Sequence, residues 1–145
     1  MSPTPAHIEI QAPVEVVFAW LDESEKALQW IGGLEQITPI TEGGNRVGAR
    51  AKHVYVEGGR RIEMIEETLV YEPNRRVKIR GESDAFTMTA EYTLTARGDS
   101  TVLELTSDSR FTSGAMRMLA PLFAGSSNRR VMKDLRKLKE LVESA

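Results

Sequence analysis

The spacing of apolar residues changes period along this chain, and each change predicts an element. Ala6, Ile8 and Ile10 alternate with His7, Glu9 and Gln11, the pattern of a short half-buried strand with His7 on its polar side. Pro13 then sits where a first helical residue tolerates proline. Val14, Val17, Phe18 and Leu21 follow at helical spacing and predict a short helix. Ser24 is placed to cap a second helix carrying Ala27, Leu28, Trp30 and Ile31, and Gly32-Gly33 ends it. From Leu34 the period becomes two. Leu34–Thr41 reads as a weak strand, with Pro39 pointing to an edge or a bulge. Ala49–Val56, Ile62–Tyr71 and Arg76–Gly81 follow, separated by turn signals at Glu57-Gly58-Gly59-Arg60 and Glu72-Pro73-Asn74. Phe86, Met88, Ala90, Tyr92 and Leu94 then alternate with Thr87, Thr89, Glu91, Thr93 and Thr95. One face is wholly apolar or aromatic, so the inward side of this strand is fixed. Thr101–Phe111 returns after a turn at Gly98-Asp99.

The last third returns to helical spacing. Met116, Leu119, Phe123, Val131, Leu135, Leu138 and Val142 hold one face of a helix from Ser113 onward, interrupted at Ser127. Pro121 predicts a kink or a split near Ala120. A one-sided helix of this length needs a broad apolar surface to cover it. The surface available is a run of strands joined by short connections, which makes them antiparallel neighbours that curl to bury one face. The expectation is an α+β domain spanning residues 1–145: a curved seven-stranded antiparallel sheet around a long C-terminal helix, with two short helices after the first strand.

Composition narrows the function classes. The chain of 145 residues fits one core, and 41% hydrophobic with 28% charged residues is ordinary for a globular protein. A net charge of −2 gives no overall field favouring nucleic acid. Without cysteine there is no disulfide and no thiolate metal site, and two histidines far apart make a poor metal centre, so no metal and no cofactor are expected. The N-terminus lacks the features of a signal peptide and no apolar run is long enough for a membrane span, so a cytoplasmic location is expected.

Four stretches carry a family resemblance: Ile8-Glu9-Ile10-Gln11-Ala12-Pro13 with Val14, Val17 and Phe18; Val47-Gly48 entering a strand; Tyr71-Glu72-Pro73-Asn74-Arg75-Arg76 at a hairpin; and the closing Leu135-Arg136-Lys137-Leu138-Lys139-Glu140-Leu141-Val142-Glu143. With the element order, these resemble the SRPBCC superfamily, which includes START-like, birch-pollen-allergen-like and polyketide cyclase/dehydrase-like domains. The resemblance covers essentially the whole chain. It implies a helix-grip fold, in which a curved sheet holds the C-terminal helix over a deep hydrophobic cavity. It also implies binding of lipids, hormones, quinones or polyketides, with cyclisation or dehydration in some members. None of the four stretches is a catalytic motif. The extended glycine-rich loop of the plant members is absent, which argues against a plant hormone or phosphate-binding role.

Strand alternation nominates residues for such a cavity. Ala49, Ala51, His53 and Tyr55 share the less charged face of their strand, so they are expected inward, with space beside the alanines and a few polar groups to orient a ligand. Met88 and Tyr92 face inward on the clearest strand, and a buried tyrosine hydroxyl needs a partner. Ser107 and Ser109 extend the row of Leu103 and Leu105, so the cavity is expected to become polar, or to open to solvent, at that end. Met64, Met88 and Met116 offer an adaptable wall. Leu119 and Phe123 would add to it from the helix, and Trp30 is a candidate wall or lid at the mouth. The two faces containing Glu66 and Glu67 are equally apolar, so whichever points inward carries a carboxylate, unless a bulge intervenes. A glutamate at the open rim is the preferred reading.

The leading expectation is therefore binding of a small hydrophobic or aromatic ligand (lipid, quinone or polyketide-like), with ligand-facing residues Trp30, Ala51, His53, Tyr55, Met64, Met88, Tyr92, Ser107, Met116, Leu119 and Phe123. The first alternative is a polyketide cyclase/dehydratase-type enzyme with His53, Tyr55 and Glu66 as candidate acid and base. The second is an interaction module using Arg129, Arg130 and Lys133, although Asp134, Glu140 and Glu143 interleave with them and favour a solvated face. A small molecule is the expected partner, nucleic acid is not, and homodimerisation is left open.

Overall fold

In the computed structural model, residues 5–84, 86–111 and 114–145 are described, without the side chains of residues 114–128. The elements are β1 (Ala6–Ile10), α1 (Val14–Asp22), α2 (Ser24–Trp30), β2 (Leu34–Pro39), β3 (Arg50–Glu57), β4 (Arg60–Glu72), β5 (Arg76–Glu82), β6 (Phe86–Arg97), β7 (Ser100–Phe111) and α3 (Gly114–Ser144). The strands form one antiparallel sheet in the order β1-β7-β6-β5-β4-β3-β2. Sequential strands from β2 to β7 are joined as hairpins. Only the step from β1 to β2 crosses the sheet, because those strands are its two edges. That crossing is made by α1 and α2.

Local chemistry explains most of the connections. The β3–β4 hairpin closes between Glu57 and Arg60. Its two central residues, Gly58 and Gly59, have φ of 54° and 79°, the positive pair that lets a two-residue turn follow the right-handed twist of its strands. Pro39 ends β2 at the sheet edge, where a missing N–H costs no ladder bond, and the strand is bulged between Leu34 and Gln36. At the start of α2 the expected cap is displaced by one residue. Glu23 occupies the N-cap position without a side-chain cap bond, and Ser24 is the first helical residue. The acid bonds Lys26 Nζ at 3.0 Å instead.

β4 carries a second bulge, between Thr68 and Val70. Before it, Ile62, Met64, Glu66 and Thr68 point to the concave face. After it, the extra residue shifts the alternation, and Tyr71 faces the same side opposite Val77. This is why both faces of the strand look equally apolar in the sequence: each supplies the concave side for part of its length.

The core sits where the C-terminal half of α3 meets the sheet. Leu135, Leu138 and Val142 lie at helical spacing and are 0%, 0% and 4% exposed. They cluster with Ile10 of β1, Leu94 of β6, Leu103 of β7, Val77 of β5, and Val17, Phe18 and Trp20 of α1. Thr101 is fully buried among them, and its hydroxyl donates to the Ala12 carbonyl at 2.8 Å, so the polar group is satisfied. α3 runs from Gly114 to Ser144 as one helix, without the split expected near Ala120. The expectations placed on the side chains of Met116, Leu119 and Phe123 lie outside the described residues. No helix among the described residues is long and apolar enough to cross a membrane.

If this contact anchors α3, truncating it should cost heavily. Leu138→Ala should lower unfolding stability by about 2–5 kcal/mol in urea denaturation, the range for a large-to-small change at a fully buried site. A loss below about 1 kcal/mol would mean that α3 is not held by this face.

Candidate functional site

The register of the central strands brings together a set of side chains that are distant in sequence. Ala51 lies opposite Glu66, His53 opposite Met64, and Tyr55 opposite Ile62. Glu66 in turn faces Gly81, which faces Met88. Ala51, His53, Tyr55, Met64, Glu66 and Met88 therefore share the concave face. Gly81 has a specific part in this. A Cβ at that position would stand 2.4 Å from Met64 Sδ and 3.3 Å from Met88 Cγ. The glycine lets the two methionines close over β5, and any larger residue would force them apart.

Three polar groups sit within this surface. Glu66 is only 6% exposed, so the expectation of a glutamate at an open rim is overturned. The bulge in β4 lies beyond it, which leaves the carboxyl group directed inward. Tyr55 leans across the strand and donates its hydroxyl to Glu66 Oε2 at 2.8 Å. The His53 ring stacks on Tyr55 with centroids 6.2 Å apart, and its Nδ1 lies 3.2 Å from the same Glu66 oxygen. That distance alone would suggest an ion pair. Yet Nδ1 is buried and forms no hydrogen bond.

Burial favours the uncharged forms of both partners. It pushes the Glu66 carboxyl up to about 7, with the Tyr55 hydrogen bond acting weakly in the other direction. It pulls His53 down to about 4. Between these values Glu66 holds its proton and His53 stays neutral. The two linkages have opposite signs. The Glu66 contribution to stability is full below its ordinary value of 4.5 and is lost as pH rises through about 7. The His53 contribution is present above its ordinary 6.5 and is lost as pH falls through about 4. The Tyr55 hydroxyl is held above its usual range, first by burial and then by Glu66.

Tyr92 joins this group from β6. Its proton is held more tightly by burial and then by the nearby carboxyls of Glu66 and Asp134. Trp30 packs edge-on against it, with ring centroids 6.4 Å apart. Trp30 is 4% exposed, belongs to the core cluster and donates its indole N–H to the Trp20 carbonyl at 2.9 Å. Asp134 of α3 accepts the Gly32 N–H at 3.1 Å, which ties the end of α2 to α3 beside the tyrosines. On its outer side this junction forms an open cleft of about 490 Å³, lined by Gln29, Trp30, Gly32, Lys133, Asp134 and Arg136 among others. A smaller hollow of about 60 Å³ lies on the convex face of the sheet, around Arg80, Thr89 and Asp108, away from the polar group. Ser107 lies on the concave row opposite Ala90 and is exposed, as is Ser109 opposite Met88. The concave face is thus open to solvent along the far end of β7.

A polar network close by was not anticipated. Tyr71 donates to Asp22 Oδ2 at 3.0 Å, Asn45 Nδ2 donates to Asp22 Oδ1 at 2.9 Å, and Thr68 donates to Asn45 Oδ1 at 2.7 Å. It pins the β2–β3 loop and β4 to the end of α1. Each of its hydrogen bonds joins residues more than twenty positions apart in sequence, so no local spacing marks them. Gly81, by contrast, was detectable as an isolated glycine inside a strand pattern. No group of three or more metal-ligating side chains occurs among the described residues.

The comparisons with known proteins agree with this architecture. Solved structures similar to the chain include protein TTHA0849 of Thermus thermophilus, with 21% identity and a TM-score of 0.80 over 97% of both chains. Protein CV1439 of Chromobacterium violaceum is 19% identical, with a TM-score of 0.77 over 99% of both chains. The Zhui aromatase/cyclase of Streptomyces sp. R1128 is 16% identical, with a TM-score of 0.77 over 97% of this chain and 92% of that one. At such identities the likeness shows the fold alone, here the helix-grip. No curated protein matches the sequence. The family model described as polyketide cyclase / dehydrase and lipid transport matches residues 5–143. The chain is therefore a helix-grip domain that belongs to the polyketide cyclase / dehydrase and lipid transport family, within the SRPBCC superfamily.

Proposed function

We propose that this protein binds a small hydrophobic or aromatic molecule, of lipid, quinone or polyketide-like character, against the concave face of the sheet beneath α3. The observation that carries this reading is the composition of that face. Small residues (Ala51, Gly81) and flexible thioethers (Met64, Met88) surround a compact polar group made of His53, Tyr55 and Glu66. An apolar surface with a few convergent polar atoms suits a ligand that is mostly apolar and must be oriented. A core built only for stability gains little from a buried carboxyl group. The family, whose description includes lipid transport, supports the same reading.

Native mass spectrometry of the freshly purified protein should detect a bound molecule that is released on denaturation. Ala51→Trp should place a bulky ring opposite Glu66 and abolish that binding while the circular dichroism spectrum stays the same. Retention of the ligand by a folded Ala51→Trp protein would remove the concave face as its site.

A second reading, a cyclase or dehydratase, is favoured by the chemistry of Glu66. A carboxyl group that keeps its proton near neutrality, beside a neutral imidazole, supplies an acid and a base in one apolar place. The similarity to an aromatase/cyclase fold is consistent with it. On this reading Glu66→Gln and His53→Ala should each lower turnover of a polyketide-like substrate by roughly 10²-fold or more. Turnover that survives both substitutions would leave binding alone as the function.

A further inference from the structure

The described strand residues around His53 on the concave face carry a carboxyl group but no basic side chain. The described residues of that face in β3 from Ala51 to Tyr55, in β4 from Ile62 to Thr68, and across β5, β6 and β7 include no lysine or arginine. Lys52 and Arg76 stand on the other face, where Lys52 meets Glu63 at 2.8 Å and Arg76 meets Glu91, while Arg60 lies on the concave row only at its hairpin end, exposed opposite Glu57. Two carboxyl groups do approach the site: Glu66 from β4, and Asp134 from α3, close enough to act on both Tyr55 and Tyr92. Beside His53 an anionic ligand would meet no basic side chain from the described strand residues and would lie near the Asp134 carboxyl, at a cost that its apolar contacts would have to offset.

The polar atom left open is His53 Nδ1, buried and without a hydrogen bond. The oxygen nearest to it, Glu66 Oε2, is already taken by Tyr55. An unpaired buried nitrogen costs free energy that a ligand atom can recover. A hydroxyl group suits the position in either tautomer of the ring. It donates to a bare Nδ1 or accepts from an Nδ1–H, and it can also accept from the Glu66 carboxylic acid. A ketone can only accept, and a hydrocarbon leaves the nitrogen unpaired.

We propose that the concave site selects an uncharged, mostly apolar molecule carrying a hydroxyl group that bonds to His53 Nδ1 beside Glu66, and that it rejects carboxylates of the same shape. This rests on the reading of the concave face as a ligand site and adds the chemical class of the ligand. His53 is then the specificity-determining residue, and the absence of a basic side chain beside it among the described strand residues, with the Asp134 carboxyl nearby, provides the discrimination against anions.

The test compares four probes of one shape by isothermal titration at neutral pH: 2-naphthol, naphthalene, 2-naphthoate and 2-naphthylmethylammonium. The expected order has 2-naphthol binding roughly tenfold more tightly than naphthalene, as one recovered hydrogen bond implies. The naphthoate should be weaker than the naphthol by at least the same factor. In His53→Phe the naphthol should lose its advantage while naphthalene binds about as before. Equal or tighter binding of the naphthoate would overturn the proposal, as would tightest binding of the ammonium compound or an unchanged naphthol preference in His53→Phe. Binding of naphthalene without preference for the naphthol would end this inference and leave the hydrophobic site standing. Failure of all four probes to bind would overturn both.

Discussion

Glu66 carries a carboxyl group into a surface where no lysine or arginine among the described residues pairs with it. Its concave-face neighbours across the ladders are Ala51 and Gly81, and its partners are a tyrosine hydroxyl and a neutral imidazole. Burial of such a group is tolerated when it stays protonated, and this condition shapes its surroundings. It requires His53 to remain uncharged, since an imidazolium would draw the proton off the acid. It requires Tyr55 to donate rather than ionise. Burial moves all three groups in the direction that keeps them neutral. The result is a hydrogen-bonding centre without net charge, held on strands rather than loops.

The fold makes this centre possible by separating stability from the site. The C-terminal half of α3 anchors the helix against β1 and β7 through Leu135, Leu138 and Val142. α1 and α2 join the two edge strands and add Phe18, Trp20 and Trp30 to the same cluster. The strands at the other end of the sheet, β3 and β4, are left free to carry alanine, glycine and polar side chains on their concave face. The network from Thr68 through Asn45 and Asp22 to Tyr71 marks the boundary between the two regions and fixes the β2–β3 loop against α1.

Much of this was legible in the sequence, for physical reasons that differ by element. Strands β3 to β7 and their turns follow from alternation and from glycines that accept positive φ. The helix-grip arrangement follows from one long amphipathic helix and a run of hairpins. Alternation also put His53 and Tyr55 on the concave side, because the opposite face of β3 begins with Arg50 and Lys52. It failed at β4, where the bulge between Thr68 and Val70 changes the inward face partway along the strand and leaves no mark in composition. The choice between Glu66 and Glu67, and the depth at which Glu66 sits, could only come from the register. Trp30 was foreseen as a wall or lid, while its packing against Tyr92 and its bond to Trp20 depend on how α1 and α2 cross the sheet.

The protonation of Glu66 can be measured directly. Carboxyl ¹³C shifts of glutamate-labelled protein, with the Glu66 resonance assigned by its loss in Glu66→Gln, should give a titration midpoint near 7. That result would establish an acid kept neutral by burial at the centre of the concave face. A midpoint at the ordinary 4.5 would mean that Glu66 is solvated or ion-paired, and the neutral hydrogen-bonding centre would not exist.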